Sequence, residues 1–456
     1  MTDNPDVLIL GGGSGGYACA LRAAQLGKTV TLIEQDKVGG TCLHRGCIPT
    51  KALTHAAAVA DTVSNAASIG IGATLGQIDL DAVHRYQGEV VERLFQGLQG
   101  LIRHRGVEVV TGTGRYGGGT TIVVGDRSIT GAQLVLATGS RVSMPPGLEV
   151  GGRILTSDEA LTFPDLPGRV IILGGGVIGV EFASIWASLG ADVTIVEALP
   201  RLVSAEDDWS SRQLTRAFRK RGITIKTDTR FVTAVDNGAD VSVTVESGET
   251  VQADLLLVAV GRRPRTDGIG LAEGGVDIDE RGFIRVDEHL RTSVPDVYAV
   301  GDIVAGPQLA HRGFGHGVFV AETIAGRNPI ARDDVEIPRV AYCAPEVASV
   351  GLTETQARER YSDIETVVYD FAGNGRSQII GTGGGIKVIR VSDGPVVGIH
   401  MVGEGVGELV GEAQLIVSWG AHPEDVGGLI HAHPTQNEAM GEAHLALSGQ
   451  PLHTHN

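Results

Sequence analysis

Val7-Leu8-Ile9-Leu10-Gly11-Gly12-Gly13-Ser14-Gly15-Gly16 is the stretch on which the reading of this chain turns. An apolar run enters a glycine cluster. A helical pattern follows to Gly27, and a second apolar run, Thr29 to Ile33, ends at Glu34. Strand, glycine turn, helix, strand and acid is the order of a dinucleotide-binding βαβ unit. The order recurs: Val170-Ile171-Ile172-Leu173, then Gly174-Gly175-Gly176-Val177-Ile178-Gly179, a helical pattern to Gly190, and an apolar run ending at Glu197. First glycine to acid is 23 residues in both copies, 34 − 11 and 197 − 174. A repeat at one spacing is a far stronger signal than a lone glycine motif.

Each glycine has a physical task. Gly11 and Gly174 allow the tight turn, Gly13 and Gly176 let backbone approach a pyrophosphate, and Gly16 and Gly179 let helix pack on strand. The helix start offers unpaired N–H groups and partial positive charge to phosphate. Glu34 and Glu197 can accept from a ribose 2′-hydroxyl, and Glu197 repels a 2′-phosphate, so the second ligand is expected to be NAD rather than NADP. Arg201 nearby is read as an exposed arginine after a turn.

Working outward, other apolar runs end in glycine turns at Thr138-Gly139-Ser140, Gly261-Arg262-Arg263-Pro264 and Gly301-Asp302, where a doubly wound sheet presents ligands. After Ile337 the pattern changes to alternating segments, Gly385 to Val391 and Val396 to Val402, with helical stretches around Glu408–Trp419 and Gln436–Leu447. Domain boundaries are expected near 145, 265 and 336. The fold class is α/β, with two Rossmann-like units and a C-terminal α+β domain.

Composition bounds the function. A chain of 456 residues predicts two to four domains and excludes a single small module. With 20% charged and 42% hydrophobic residues it is not disordered. Its 66 glycines are about twice the usual share, without a collagen period. A net charge of −17 argues against nucleic-acid binding. The N-terminus MTDNPD lacks a basic signal region, and Val170–Gly190, with Glu181 and five glycines, is a poor membrane span. A cytoplasmic protein is expected.

Cys42 and Cys47 lie in GGTCLHRGCIPTK, residues 39–51. On a regular helix residues five apart have Cα atoms roughly 8–9 Å apart, beyond the ~7 Å reach of a disulfide. A bond therefore needs a distorted helix start, which Gly46 and Pro49 permit. The helix N-terminus, Arg45 and Lys51 favour a thiolate. Three readings compete: a buried unlinked pair, a metal site, and a redox disulfide. No second cysteine pair supports a metal, and none is expected. Cys19 and Cys343 read as buried fillers. His453-Thr454-His455-Asn456 reads as a terminal segment.

With these residues in view, the chain resembles the flavoprotein disulfide reductases, class I pyridine nucleotide-disulfide oxidoreductases, and most closely their dihydrolipoyl dehydrogenase branch. The resemblance spans essentially the whole chain. It rests on GGTCLHRGCIPTK, ATGS at 137–140, GRRP at 261–264, YAVGD at 298–302, LAHRG at 309–313, PEVASVGLTE at 345–354 and HAHPTQNEA at 431–439. It implies FAD at the first dinucleotide unit and NAD at the second. It implies the order FAD domain 1–144, NAD domain 145–264, FAD return 265–335 and dimer interface 336–456.

Residue by residue, the resemblance places Gly11, Gly13, Gly16, Glu34, Thr41, Lys51, Gly114, Thr138, Gly139, Ser140, Asp302, Leu309, Ala310 and His311 on FAD. It places Gly174, Gly176, Ile178, Gly179, Glu197, Gly261 and Arg262 on NAD. It implies a Cys42–Cys47 redox disulfide, a Lys51–Glu181 pair beside the flavin, and His433 as a base oriented by Glu438 and supplied by the other subunit of a homodimer. The implied reaction is oxidation of dihydrolipoamide with reduction of NAD+. The implied partner is the lipoyl-bearing acyltransferase of a 2-oxo acid dehydrogenase complex. The rivals are a reductase of another small disulfide and a non-catalytic subunit that kept the fold. The chain departs from relatives at His44-Arg45, where several have Asn-Val, at His316, where some have glutamate, and at Cys343, where threonine is common.

Overall fold

The computed structural model describes residues 4–453. Val7–Leu10 and Arg169–Leu173 each become the central strand of a five-stranded parallel sheet. The first sheet runs Val297–Ala299, Gln133–Leu136, Val7–Leu10, Val30–Glu34, Glu108–Thr111. The second runs Thr224–Lys226, Asp192–Val196, Arg169–Leu173, Leu255–Val258, Ile154–Thr156. Val7, Leu8, Ile9 and Leu10 are buried, as are Val170 to Leu173. Unbroken apolar strands of this kind belong to parallel sheets covered on both faces. Each fully buried Leu or Ile contributes about 1.5–3 kcal/mol relative to exposure.

The two halves match beyond the glycine turns. Counted from the strand that enters its glycine turn, each inserts a three-stranded antiparallel meander between its third and fourth sheet strands: Gly114–Gly118, Thr121–Val124 and Arg127–Thr130 in the first, Phe231–Asp236, Val241–Val245 and Thr250–Ala253 in the second. Short strands with little apolar contrast gave no sign of these. The fifth strand differs. The first sheet takes Val297–Ala299, from the expected return segment, and the second takes Ile154–Thr156, which precedes its own glycine turn.

The helix Ser14–Gln25 packs on Ala310–Ile324, where a Cβ on Gly317 would stand 2.3 Å from the Gly15 carbonyl oxygen. Close contact of this kind locks the return segment onto the first unit. The helix Val177–Ser188 is buried continuously from Gly179 to Trp186, so it is a core helix with no solvent face. Val170–Gly190 is thus strand, turn and helix, and no described helix is long and apolar enough to cross a membrane.

The C-terminal portion is an antiparallel sheet ordered Arg339–Ala341, Glu346–Gly351, Val396–Gly403, Gly385–Val391, Ile364–Asp370. The helices Val406–Ser418 and Glu438–Leu447 close its core over Ile386, Val388, Ile399 and Met401. Of the tail, His453 bonds Glu442 (Nδ1 to Oε1, 2.8 Å); Thr454–Asn456 lie outside the described residues.

Candidate active site

Both glycine turns take the geometry their sequence demands. Gly11 and Gly174 sit at φ +103° and +110°, a conformation that L side chains rarely adopt. A Cβ on Gly16 would lie 1.8 Å from the Gly11 carbonyl oxygen, and one on Gly179 1.9 Å from that of Gly174. Helix and turn can approach this closely only through glycine. Gly13 and Gly176 are N-caps without a side-chain cap, and a Cβ at either would meet nothing nearer than 4.0 Å. Open space in front of uncapped N–H groups fits a pyrophosphate at each turn. Glu34 accepts the Gly12 N–H (2.7 Å) and Glu197 the Gly175 N–H (2.5 Å), so the two acids tie their turns in the same way. Arg201 is not free: it bonds Asp208 (3.2 Å) and the Ser204 carbonyl (2.9 Å).

Between the turns lies the cysteine pair. The helix breaks at Gly46 (φ −145°, ψ −112°), separating Gly40–Arg45 from Cys47–Asn65. Pro49 falls in the first turn of the second helix, where its missing N–H costs nothing. The break brings the two side chains into hydrogen-bond contact as free thiols, half-buried. That hydrogen bond, aided by the charge of Lys51 and opposed by burial, lowers the Cys47 thiol to about 7. The same bond and burial push Cys42 up. Of the two, Cys47 is the one whose thiolate form is favoured.

Lys51 lies one helical turn beyond Cys47, and its ammonium bonds both oxygens of Glu181 (2.9 and 2.8 Å). Glu181 is 3% exposed and also accepts the Tyr342 N–H (2.9 Å). The Tyr342 ring lies 4.7 Å from the Lys51 ammonium. Thr41 is exposed beside Cys42.

Two dinucleotide turns flanking a polarised dithiol decide the family, and the comparisons agree. The pyridine nucleotide-disulphide oxidoreductase model matches residues 5–317, and its dimerisation domain matches residues 337–444. The chain belongs to the pyridine nucleotide-disulphide oxidoreductase family. It is 38% identical to a dihydrolipoyl dehydrogenase of Bacillus subtilis, covering 99% of this chain and 100% of that one. It is 36% identical to the mitochondrial dihydrolipoyl dehydrogenase of Pisum sativum, covering 99% and 93%. Among solved structures, the HOCl-induced flavoprotein disulfide reductase RclA of Escherichia coli superposes with TM-score 0.86 at 27% identity, covering 96% and 99%. LpdA of Mycobacterium tuberculosis shares the fold with TM-score 0.90 at 24% identity, covering 97% and 99%.

Other expected positions of this disulphide oxidoreductase gather at the ends of the first sheet's strands. Thr138 Oγ1 bonds the Arg265 carbonyl (2.7 Å), and Gly139 accepts the Arg265 N–H (2.8 Å). Ser140 Oγ bonds Asp302 (2.6 Å). Arg262, expected on the NAD side, reaches across to the first unit. Its guanidinium bonds Ser140 Oγ (2.8 Å) and the Ser140 carbonyl (3.1 Å), among residues expected on the flavin side. The reason is the antiparallel pairing of Arg262–Pro264 with Ser140–Val142, a contact 122 residues long in sequence. Gly261, at φ +109°, is exposed, and Ile178 is half-buried in the first turn of its helix.

Leu309 caps the helix Ala310–Ile324, and His311 bonds the Pro338 carbonyl (2.7 Å). Gly114 lies in the first meander, where a Cβ would stand 2.4 Å from Leu10 Cδ1. His316 Nδ1 accepts the Gly301 N–H (3.3 Å), and burial followed by Arg312 lowers it to about 4, so it is a neutral support for the Gly301–Asp302 turn.

Arg45 pairs with Asp36 (2.5 Å), not with the thiols, and His44 bonds the Val38 carbonyl (2.9 Å). Burial pushes Cys19 up to about 12 and raises Cys343 as well, leaving both inert. Sequence reasoning missed Tyr17 and Tyr342. Burial, then the two thiols, raise Tyr17 to about 12; only its register on the first helix, facing the helix break some 25 to 30 residues on, brings it there.

His433 Nδ1 bonds Glu438 Oε1 (2.8 Å), whose second oxygen accepts the Thr435 N–H (2.9 Å). The His433 side chain is 78% exposed, and no hydrogen bond or ion pair joins it to Cys42 or Cys47 of its own chain. With Nδ1 anchored on Glu438, Nε2 has no hydrogen-bond partner among the described residues.

Proposed function

We propose that this chain is the dihydrolipoyl dehydrogenase component of a 2-oxo acid dehydrogenase complex, with FAD and NAD as cofactors. It oxidises dihydrolipoamide borne by the acyltransferase and reduces NAD+. The observation that carries this reading is the Cys42–Cys47 pair, polarised toward a Cys47 thiolate and set between two uncapped dinucleotide turns. Residues 1–144 with 265–335 form the FAD unit, 145–264 the NAD unit and 336–456 the interface of a cytoplasmic homodimer.

The residues divide the work as follows. In the oxidised state Cys42 and Cys47 form a disulfide. His433, held by Glu438 and donated by the partner subunit, takes a proton from one substrate thiol at Nε2. The substrate thiolate attacks Cys42 Sγ, the S–S bond breaks, and Cys47 leaves as a thiolate stabilised by Lys51. The second substrate thiol attacks the substrate sulfur of the mixed disulfide, its proton passes to Cys42, which leaves as a thiol, and the cyclic disulfide departs with two electrons left on the pair. Bound FAD supplies the relay that carries those electrons to NAD. Ser140, Asp302 and Gly13 would hold the flavin nucleotide, and the Lys51–Glu181 pair would orient the nicotinamide. Gly176 and Glu197 would hold the pyrophosphate and adenosine ribose of NAD.

The test is NAD reduction by dihydrolipoamide with purified holoenzyme, repeated with NADP. Turnover with a strong preference for NAD is expected. No dihydrolipoamide turnover, while NADH still reduces the flavin, would assign the site to another disulfide. A preference for NADP would contradict the role of Glu197.

A further inference from the structure

We infer that two cations of the C-terminal sheet, Arg339 and Lys387, are positioning residues for the second dinucleotide turn. The inference rests on reading that turn as the NAD site.

The two repeats clamp their middle glycine differently. In the first, the Gly12 carbonyl accepts the N–H of Gly39 (2.8 Å), a glycine at φ +108°. In the second, the Gly175 carbonyl accepts the N–H of Val203 (2.8 Å), at φ +42°. Glycine adopts a left-handed conformation freely. A β-branched residue there is an outlier, and it persists only where the surroundings over-determine it.

The surroundings are a buried ionic network. Leu202 is fully buried and packs so closely on Gly175 that a Cβ there would stand 2.5 Å from Leu202 Cδ2. The Glu206 N–H bonds the Val203 carbonyl (2.8 Å). The Glu206 carboxylate is gripped by Arg339 Nε (3.0 Å) and by the Ser349 hydroxyl, side chains of directly paired residues on neighbouring strands. Asp207 accepts from Lys387 Nζ (2.8 Å), the Glu354 N–H (2.8 Å) and the Trp209 N–H (2.9 Å). Lys387 also bonds Glu354 (2.7 Å). Side-chain exposures are 7% for Glu206, 2% for Asp207 and 6% for Lys387. Charges buried this deeply stay put only while paired.

The network therefore fixes the far end of the loop that Glu197 starts. Gly175 is held at its N–H by Glu197 and at its carbonyl by Val203. Release of the Glu206–Asp207 anchor lets Val203 relax out of its strained conformation and frees the turn against which the NAD pyrophosphate would lie. The first turn has no such dependence, because its clamp is a glycine.

The experiment measures KM for NAD, KM for dihydrolipoamide, kcat and flavin content in the holoenzyme and its Arg339→Met and Arg339→Lys variants. Arg339→Met is expected to raise the KM for NAD about tenfold, the scale of one lost charge-assisted hydrogen bond. The dihydrolipoamide KM and the flavin content should hold, and Arg339→Lys should recover most of the loss. A flavin-loaded Arg339→Met enzyme with an unchanged KM for NAD overturns the inference, as does an equal rise in both KM values. Should Arg339→Met not fold, Ser349→Ala removes one bond to Glu206 without stranding a charge. It should raise the NAD KM alone, and no rise counts against the inference. A wild-type enzyme that cannot use NAD at all refutes the site reading itself; a wild type that uses NAD beside indifferent variants refutes only the role of the network.

Discussion

At the scale of single residues, Cys47 is the group whose state sets the chemistry. Its thiol is lowered from an ordinary 9.0 to about 7, by the Cys42 hydrogen bond first and Lys51 among the further causes. A depressed folded-state value means the thiolate is present above that pH and is lost as pH falls through about 7. Thiolate absorbance of the reduced enzyme should titrate there, and Lys51→Met should move the midpoint upward. An unmoved midpoint would remove Lys51 from the stabilisation. For His433→Gln, loss of a positioned base predicts a fall of ~10²–10⁴-fold in dihydrolipoamide oxidation. Reduction of the flavin by NADH should be spared, and rapid single-turnover measurements can separate the two half-reactions.

At the scale of elements, the two βαβ units make one argument twice. A Cβ added at Gly16 or Gly179 would stand 1.8 or 1.9 Å from a carbonyl oxygen, which leaves no room for a methyl group. Gly179→Ala should therefore yield a yellow protein that has lost NAD-dependent turnover. Gly16→Ala should yield a protein with little flavin. Flavin absorbance per chain distinguishes them, and identical phenotypes would mean that the turns are not separate sites. The glycine spacing and the acids were legible because they are local. The meanders were not, since alternating short strands such as Thr121–Val124 carry little apolar contrast. Nor was Arg262's partner, because strand pairing between residues 140–142 and 262–264 is settled by how the sheets close, not by neighbours in sequence.

At the scale of the whole molecule, no hydrogen bond or ion pair among the described residues joins the candidate base to the thiols of its own chain. His433 is exposed on the C-terminal portion, while Cys42 and Cys47 lie between the dinucleotide units. If the partner's His433 serves each dithiol, inactive Cys42→Ser and His433→Gln chains should complement. In a random equal mixture half the dimers are mixed and one site of each is intact, so about a quarter of wild-type turnover should return. No recovery in a mixture shown to exchange subunits would place His433 and the thiols of one chain in the same site.

The sequence by itself determined the doubled dinucleotide fold, the cysteine pair, the glycine on which its helix breaks, and the acid beside the histidine. All four are short-range patterns, in which residue spacing is converted directly into geometry by backbone sterics. Folding in three dimensions was needed to show which thiol is favoured as thiolate, that Arg262 joins Ser140, and that Arg339 and Lys387 pair with Glu206 and Asp207. The first depends on burial and on a helix break that turns one thiol toward the other; the others depend on partners more than a hundred residues away, and a buried charge acquires its state only when the elements that enclose it have packed.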